Sequence, residues 1–418
     1  MQNILFFIFR LYGGGAERTV SNLSQAFGDK YNIKIAIYDI EERTYPYAGE
    51  LIRIKLPFSK NVAENGKIAR AIRLLVLLFK LRRLKKKHAI NVCISFSEQA
   101  NIINLITGGS RTIISVRTTL SEEIKSMPRM KVLYGFIRAL YNRAYRIITP
   151  SEGISEDLID HFGVHPGKIR VIFNYVDREK IRRLYNVPLS DPFLKSLFQK
   201  DILLHVGRIT AAKGLWLAFH VYKMLKPVYP GIRLVSIGEG ESEPIFKKKI
   251  LKYAKGLDLK IDDLEENGAP DDDADIVFMG FRNNPYQFMR ESKVLVFPSA
   301  FEGFPNTILE ALECSLPVVA ADCNSGPRFI LAPGSTITGR AEKMELSAFG
   351  ILAPPLKDAE IDTVIDPRVI EEWTKAVGAM LEKDDLRRQY MLAGRERSGN
   401  FDKEVILSQW ELLLSEEG

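Results

Sequence analysis

Apolar positions along this chain fall into short runs rich in β-branched and aromatic residues, separated by longer stretches of helical periodicity. Asn3–Phe9, Ile33–Tyr38, Val92–Phe96, Thr112–Val116, Arg146–Thr149 and Arg170–Phe173 are such runs, and Ala16–Phe27 has the helical spacing. Runs of this kind alternating with helices predict a parallel α/β sheet. The rhythm pauses over Asn186–Lys200, which contains Pro188 and Pro192. It restarts with Ile202–Val206, Arg233–Ile237, Asp275–Met279, Val294–Phe297 and Pro317–Ala320. Two successive doubly wound domains follow, 1–190 and 191–395. A helical end, 396–418, completes the chain and could return to the first domain. Leu386–Leu414 reads as helix with a break around Gly399.

Composition agrees with two packed cores. The chain has 418 residues, 46% hydrophobic and 10% aromatic, which is globular rather than disordered. Met1–Phe9 is too short to span a bilayer and lacks a basic leader, so a buried strand is expected there and a secretory signal is not. Ile68–Leu84 is interrupted by Arg70, Arg73 and Lys80 and is not a transmembrane helix. Cys93, Cys314 and Cys323 have no pairing or metal-ligand spacing, which suits small apolar roles in a reducing, cytosolic compartment. His161 and His165 flank Gly163 beside Pro166, a pattern of a turn rather than of zinc ligands. The acidic stretch from Asp262 to Asp275 is expected to be a solvated loop.

Charge is unevenly spread. Residues 1–190 carry 31 Lys and Arg against 16 Asp and Glu, whereas the remainder carries 28 against 36. A basic first half and an acidic second half imply different partners.

Three segments carry candidate phosphate chemistry. Gly13-Gly14-Gly15 follows a strand and opens a helix, so backbone amides there are free to meet an anion. A dinucleotide fingerprint would place a third glycine where Arg18 stands. Asp39, near the end of the second strand, could imitate a ribose-binding acid, which keeps a nicotinamide enzyme as a competing reading. Arg208 and Lys213 leave the strand ending at Gly207 in one loop, at the carboxyl edge where open α/β sheets bind ligands. Together they could hold a diphosphate, although solvated cations would look the same. Glu302 lies in the loop after Phe297. Gly303 permits a bend, Pro305 suits a first helical turn, and the amides around it, of Phe304, Asn306 and Thr307, would face the cleft. Glu310 follows on the helix, and both carboxylates could accept from sugar and ribose hydroxyls. A first-turn acid with a favourable dipole interaction is the alternative for either one.

In this order the segments resemble the retaining glycosyltransferases of family 4. The resemblance covers most of the chain. It rests on Gly13-Gly14-Gly15-Ala16-Glu17-Arg18, Gly207-Arg208 through Lys213-Gly214, Ser236-Ile237-Gly238-Glu239-Gly240, Phe278-Met279-Gly280, and the E-x7-E pair Glu302 and Glu310. It implies the GT-B fold, two Rossmann-like domains facing an interdomain cleft. It implies that Arg208 and Lys213 neutralise the donor diphosphate and that Gly14 and Gly15 offer amides to it. Glu302 would contact the donor sugar, Glu310 the ribose, and Gly280, Phe281, Arg282 and Asn283 would lie beside the base. No cofactor and no metal would be needed. The donor would be a UDP- or GDP-sugar, UDP being favoured, and a hexose or N-acetylhexosamine would be transferred with retention. Many family members place a histidine where Thr112–Val116 leads into Arg117, so Arg117 is the candidate to contact the sugar or a phosphate. Another GT-B chemistry, a sugar phosphorylase or nucleotide-sugar epimerase, is the alternative.

Asn65–Ser97 contains no acid, and Lys67–Lys87 combines an apolar series with nine Lys and Arg. On a helix Arg70, Arg73 and Lys80 fall within ~80° of one another. The end, with Arg82, Arg83, Lys85, Lys86 and Lys87, is basic all round and suits anionic headgroups at about 1 kcal/mol per cation. A core-packed helix with a solvated end is the simpler alternative. No nucleic-acid motif accompanies the charge. In the resembling family such basic domains serve acceptors carried on lipid, which implies a lipid-linked glycan or polysaccharide acceptor at the inner membrane face. A lipid-binding module without catalysis would leave Arg208, Lys213, Glu302 and Glu310 unexplained.

Overall fold

The computed structural model describes residues 1–12, 14–39, 44–57, 66–126, 131–240, 244–266, 271–335 and 339–416. Gly13, expected in the glycine turn, is outside them. The chain forms two compact units, Met1–Asn174 with Glu404–Gly418, and Tyr175–Lys403.

The first unit holds a seven-stranded parallel sheet: β1 (Asn3–Ile8), β2 (Asn32–Ile37), β3 (Glu50–Arg53), β4 (Val92–Phe96), β5 (Arg111–Ser115), β6 (Arg146–Thr149) and β7 (Ile169–Val171). Their order across the sheet is β3-β2-β1-β4-β5-β6-β7. Central strands such as β1 and β4 are covered on both faces and are therefore buried in a near-continuous run, largely apolar apart from Asn3 and Ser95, rather than alternating. Ile4 pairs with Ile33 on one side and with Val92 on the other. Leu5, Phe7 and Cys93 meet Leu77, Leu81 and Leu84 of the helix Lys67–Lys87 in one core cluster.

The second unit holds β8 (Asp201–Val206), β9 (Ile232–Ile237), β10 (Ile261–Asp263), β11 (Ile276–Phe278), β12 (Val294–Phe297), β13 (Val318–Ala321), β14 (Glu345–Leu346) and β15 (Ile351–Ala353). Their order is β10-β11-β9-β8-β12-β13-β15-β14, with only β14 antiparallel to its neighbour. Trp216, Phe219, Phe278 and Trp373 anchor its core. The Trp373 indole donates to the Pro354 carbonyl at 2.8 Å, satisfying its one polar atom.

Several expectations change. The division lies after Asn174, not near residue 190, because the helix Arg178–Tyr185 is fastened to the second unit. Arg178 and Arg182 both donate to the buried Glu313 carboxylate, at 2.8 and 3.1 Å. The pause over 186–200 is a short helix, Pro192–Leu197, begun by Asp191, whose side chain accepts from the Leu194 amide. The terminal helices are Asp384–Gly399, in the second unit, and Lys403–Ser415, which runs into the first. There Arg111 donates to the Leu414 carbonyl at 2.5 Å and Lys30 pairs with Glu411 at 2.7 Å. The acidic stretch is not simply a solvated loop. Asp262 and Asp263 belong to β10 and are buried, Asp263 being paired with Lys247 at 2.9 Å. Asp275 is also buried, where it accepts from Tyr222 and pairs with Lys226.

Lys85 is the clearest correction on the basic helix. It faces the core, 2% exposed, and donates to Asn104 Oδ1 (2.7 Å), Thr107 Oγ1 (3.0 Å) and the Gly108 carbonyl (3.0 Å). The ammonium thus closes the carboxyl end of the helix Glu98–Thr107, where cations are favoured, and it is not available to a lipid surface. Desolvation lowers its pKa. Replacing it by Met strands those acceptors. We expect Lys85→Met to reduce unfolding free energy by about 2 kcal/mol and Lys86→Met to leave it nearly unchanged, as read from urea midpoints.

Candidate active site

In the second unit the chain steps from β8 to β9 on one side and later crosses to β12 on the other. The loops after β8 and β12 therefore leave the carboxyl edge in opposite directions and open a crevice. Their backbones then converge. The Ala300 amide donates to the Ala212 carbonyl at 2.9 Å. Gly214 has φ +61, and a Cβ there would stand 2.2 Å from the Pro298 carbonyl oxygen, so only glycine fits. A similar contact joins β8 to β9: a Cβ on Gly238 would be 1.9 Å from the Gly207 carbonyl oxygen.

This convergence brings Lys213 onto Glu302, whose carboxylate receives the Lys213 ammonium in a direct ion pair. The pair is mostly shielded, with side chains 19% and 12% exposed. Arg208, on the same loop as Lys213, is exposed. Glu302 precedes the helix Asn306–Glu313, which starts one residue later than expected, with Pro305 as its cap. Asn306 and Thr307 occupy its first turn, and Asn306 Oδ1 is buried with no hydrogen-bond partner among the described residues. Phe304 commits its ring to a cluster with Phe329 and Phe401, at 6.2 and 5.5 Å between centroids. Glu310 is buried and accepts from the Tyr286 hydroxyl at 3.1 Å. Gly280 has φ +66 and lies against the Glu265 carboxylate, while its carbonyl accepts from the Gly238 amide at 2.9 Å. Arg282 is half-buried beside it, and Phe281 is half-exposed.

In the first unit the order reverses between β1 and β4. The helix Gly15–Phe27 begins after β1 with Gly14 as an extended cap. A Cβ on Gly15 would meet nothing within 4 Å, whereas one on Gly14 would lie 2.2 Å from a Glu17 carboxylate oxygen. Arg117, beyond the end of β5, donates to Thr19 Oγ1 at 3.0 Å and to Asn174 Oδ1, so it is held beside the glycine turn. Desolvation lowers its pKa to about 10, which leaves it cationic at neutral pH. Asp39 is buried and its amide donates to the Phe9 carbonyl at 2.8 Å.

The basic helix Lys67–Lys87 has two faces. Leu77, Leu81 and Leu84 pack inward, while Ile68, Ile72, Leu75 and Phe79, spaced i, i+4, i+7 and i+11, point outward at 79%, 40%, 65% and 67% exposure. Arg82 and Lys86 continue that stripe, and Arg70, Arg83 and Lys87 are exposed as well. Arg73 and Lys80 instead donate to the carbonyls of Pro57 and Lys55, at 2.7 and 2.6 Å. No helix among the described residues is long and apolar enough to cross a membrane.

Two family models match the chain, "Glycosyltransferase Family 4" over residues 13–180 and "Glycosyl transferases group 1" over residues 200–349. The chain is a glycosyltransferase of GT-B type. Among its relatives is the N-acetylgalactosamine-N,N'-diacetylbacillosaminyl-diphospho-undecaprenol 4-alpha-N-acetylgalactosaminyltransferase of Campylobacter jejuni, 28% identical over 97% of both chains. An uncharacterized glycosyltransferase of Methanocaldococcus jannaschii is 26% identical over 88% of this chain and 89% of its own. Among solved structures, Anabaena HepE in complex with UDP and glucose superposes with a TM-score of 0.72 at 18% identity, covering 99% of this chain and all of that one. WaaG, a glycosyltransferase involved in lipopolysaccharide biosynthesis, gives 0.69 at 14% identity, covering 99% and 100%.

Sequence reading of this glycosyltransferase missed Tyr286, Thr19, Asn174 and Glu98, whose partners are distant in sequence and met only through the fold. Glu98 follows β4 at the reversal point of its sheet and accepts from Tyr141 (2.6 Å) and Asn101 (3.2 Å). Desolvation raises its pKa to about 7, against the pull of those two donors and with Glu123 adding to the rise. The folded chain thus holds a proton that an unfolded glutamate, near 4.5, releases. Stability from this group is full below about pH 4.5 and is lost as pH rises through about 7. We expect Glu98→Gln to flatten the fall in unfolding midpoint across that window, measured by urea denaturation at stepped pH.

Proposed function

We propose that this glycosyltransferase is metal-independent and retaining, moving a hexose or N-acetylhexosamine from a nucleotide diphosphate sugar to a lipid-linked or polysaccharide acceptor. The observation that carries the reading is the convergence of the loops after β8 and β12, which joins Lys213, on the loop that also carries Arg208, to Glu302. A departing diphosphate needs charge compensation that is already in place, and these cations supply it without a metal. Once the diphosphate arrives, Lys213 exchanges its carboxylate partner for phosphate oxygens, which frees Glu302 to accept from sugar hydroxyls. Glu310 takes the ribose and Gly280 to Asn283 flank the base. Gly14, Gly15 and Arg117 are the candidates of the first unit for contact with a phosphate or sugar. UDP is the favoured nucleotide, supported by the UDP complex of the HepE neighbour.

Lys213→Ala and Arg208→Ala should each lower kcat by on the order of 100- to 1000-fold, the cost of one prearranged donor, with unchanged unfolding midpoints. Full activity in both variants contradicts the assignment. A thermal-shift series with UDP- and GDP-sugars in EDTA identifies the donor and tests the metal independence, since a bound donor raises the midpoint by mass action.

The acceptor side rests on the helix Lys67–Lys87. Its outward apolar stripe, flanked by Arg82, Arg83 and Lys86, has the form of a helix lying in a lipid interface, with cations for anionic headgroups. The Campylobacter relative is named for a diphospho-undecaprenol acceptor, which supports a lipid-carried glycan; its place at the cytoplasmic membrane face is part of the proposal. Changing Arg82, Arg83 and Lys86 together to Gln should weaken binding to vesicles containing phosphatidylglycerol by on the order of 100-fold, at about 1 kcal/mol per cation. Ile72→Ser with Phe79→Ser should weaken binding to neutral and anionic vesicles alike, as read by sedimentation.

A further inference from the structure

The segment after β13 holds a feature that the donor-binding reading does not use. Ser325 has φ +76 and ψ −68, the strained γ-turn geometry that L-residues rarely adopt. Its hydroxyl is shared between two main-chain carbonyls of the donor loop, Glu302 at 2.9 Å and Gly303 at 2.8 Å. The next residue presses on the same loop. A Cβ on Gly326 would stand 2.3 Å from Pro305 Cδ and 3.0 Å from the Gly303 carbonyl oxygen.

Strain of this kind persists only where surrounding structure enforces it. Here the enforcement comes from behind. Asp322 is 2% exposed, accepts from Arg328 Nε at 3.1 Å and takes the Ala341 amide at 2.6 Å. Arg328 also pairs with Glu345 at 2.9 Å. Asn324 accepts from Arg340 at 3.0 Å. Residues on both sides of Ser325 are thus fixed, and the serine is pressed against the turn that carries Glu302.

We propose that Ser325 is a positioning residue for the reaction. Its hydroxyl fixes the carbonyls of Glu302 and Gly303, and thereby sets both the direction of the Glu302 carboxylate and the presentation of the amides leading into the helix Asn306–Glu313. The inference rests on the donor-site reading, because it assigns Ser325 a role only through Glu302 and that turn. Ser325 itself touches no substrate.

The test compares Ser325→Ala, Ser325→Gly and Lys213→Ala with the unaltered chain. Alanine keeps the Cβ and so adds no strain, while glycine removes the hydroxyl and relaxes the backbone. Amide hydrogen exchange of the free protein reads the turn directly and needs no donor. Both serine variants should exchange at least ten times faster at the Ala300 and Ile308 amides, which donate to the Ala212 and Pro305 carbonyls on either side of the turn, at an unchanged global melting midpoint. Titration with UDP and with GDP reads the consequence: whichever nucleotide binds the unaltered chain should bind both serine variants about tenfold more weakly. Wild-type exchange at Ala300 and Ile308 in Ser325→Ala overturns the proposal, as does wild-type exchange in Ser325→Gly, which would assign the effect to strain alone. Faster exchange with unchanged nucleotide affinity also overturns it. Unaltered nucleotide binding in Lys213→Ala counts instead against the donor site, and the exchange comparison still decides the clamp.

Discussion

The second unit is organised around a backbone approach that leaves no room for a side chain. Gly214 lies on the Pro298 carbonyl, the Ala300 amide reaches the Ala212 carbonyl, and Gly238 lies on Gly207. Because the chain departs from β8 in both directions, the loops beyond β8 and β12 leave the same carboxyl edge, and Gly214 lets them touch there. Their contact decides where the charged groups stand. Lys213 and Glu302 are 89 residues apart and become an ion pair only because glycine permits the loops to touch. A shielded pair of this kind is weak evidence for stability, since desolvation offsets much of the attraction. In the proposed function these are two groups held ready, each able to change partners when a diphosphate enters.

Polar groups elsewhere follow the same economy. Lys85, long enough to reach outward, instead closes a helix end, because three acceptors there would otherwise be buried without a donor. Glu313 gathers Arg178, Arg182 and Ser398, and so ties both the segment after the first sheet and a late helix to the second unit. Glu98 is held beneath the edge of the first sheet by Tyr141 and Asn101, where burial favours its protonated form. Each is a charged side chain whose role is set by what surrounds it.

The helix Lys67–Lys87 separates two uses of apolar residues. Leu77, Leu81 and Leu84 complete a core, whereas Ile68, Ile72, Leu75 and Phe79 remain outside it. Contiguous exposed apolar side chains beside a cationic end are costly in water, and that cost is relieved at a lipid interface. The same helix therefore contributes to the fold on one side and, in the proposed function, to recruitment on the other.

Sequence alone determined the alternation of strands and helices and the two-sheet architecture, and it singled out the glycines, cations and carboxylates proposed for phosphate chemistry. These are local properties: buried parallel strands must be apolar runs, and tight turns before helices require glycine. Tertiary structure decided what depends on distant partners. The division after Asn174 follows from Arg178 and Arg182 finding Glu313, and the return of the last helix to the first unit from contacts with Lys30 and Arg111. Length does not explain why β3, β10 and β15 were missed, since β7 and β11 are as short and were read; β10 was hidden by Asp262 and Asp263, whose burial depends on partners such as Lys247 outside the strand. Whether a lysine on an amphipathic helix faces lipid or closes a neighbouring helix, and whether a serine in a loop is strained against an active turn, are set by packing across the chain, which no local pattern encodes.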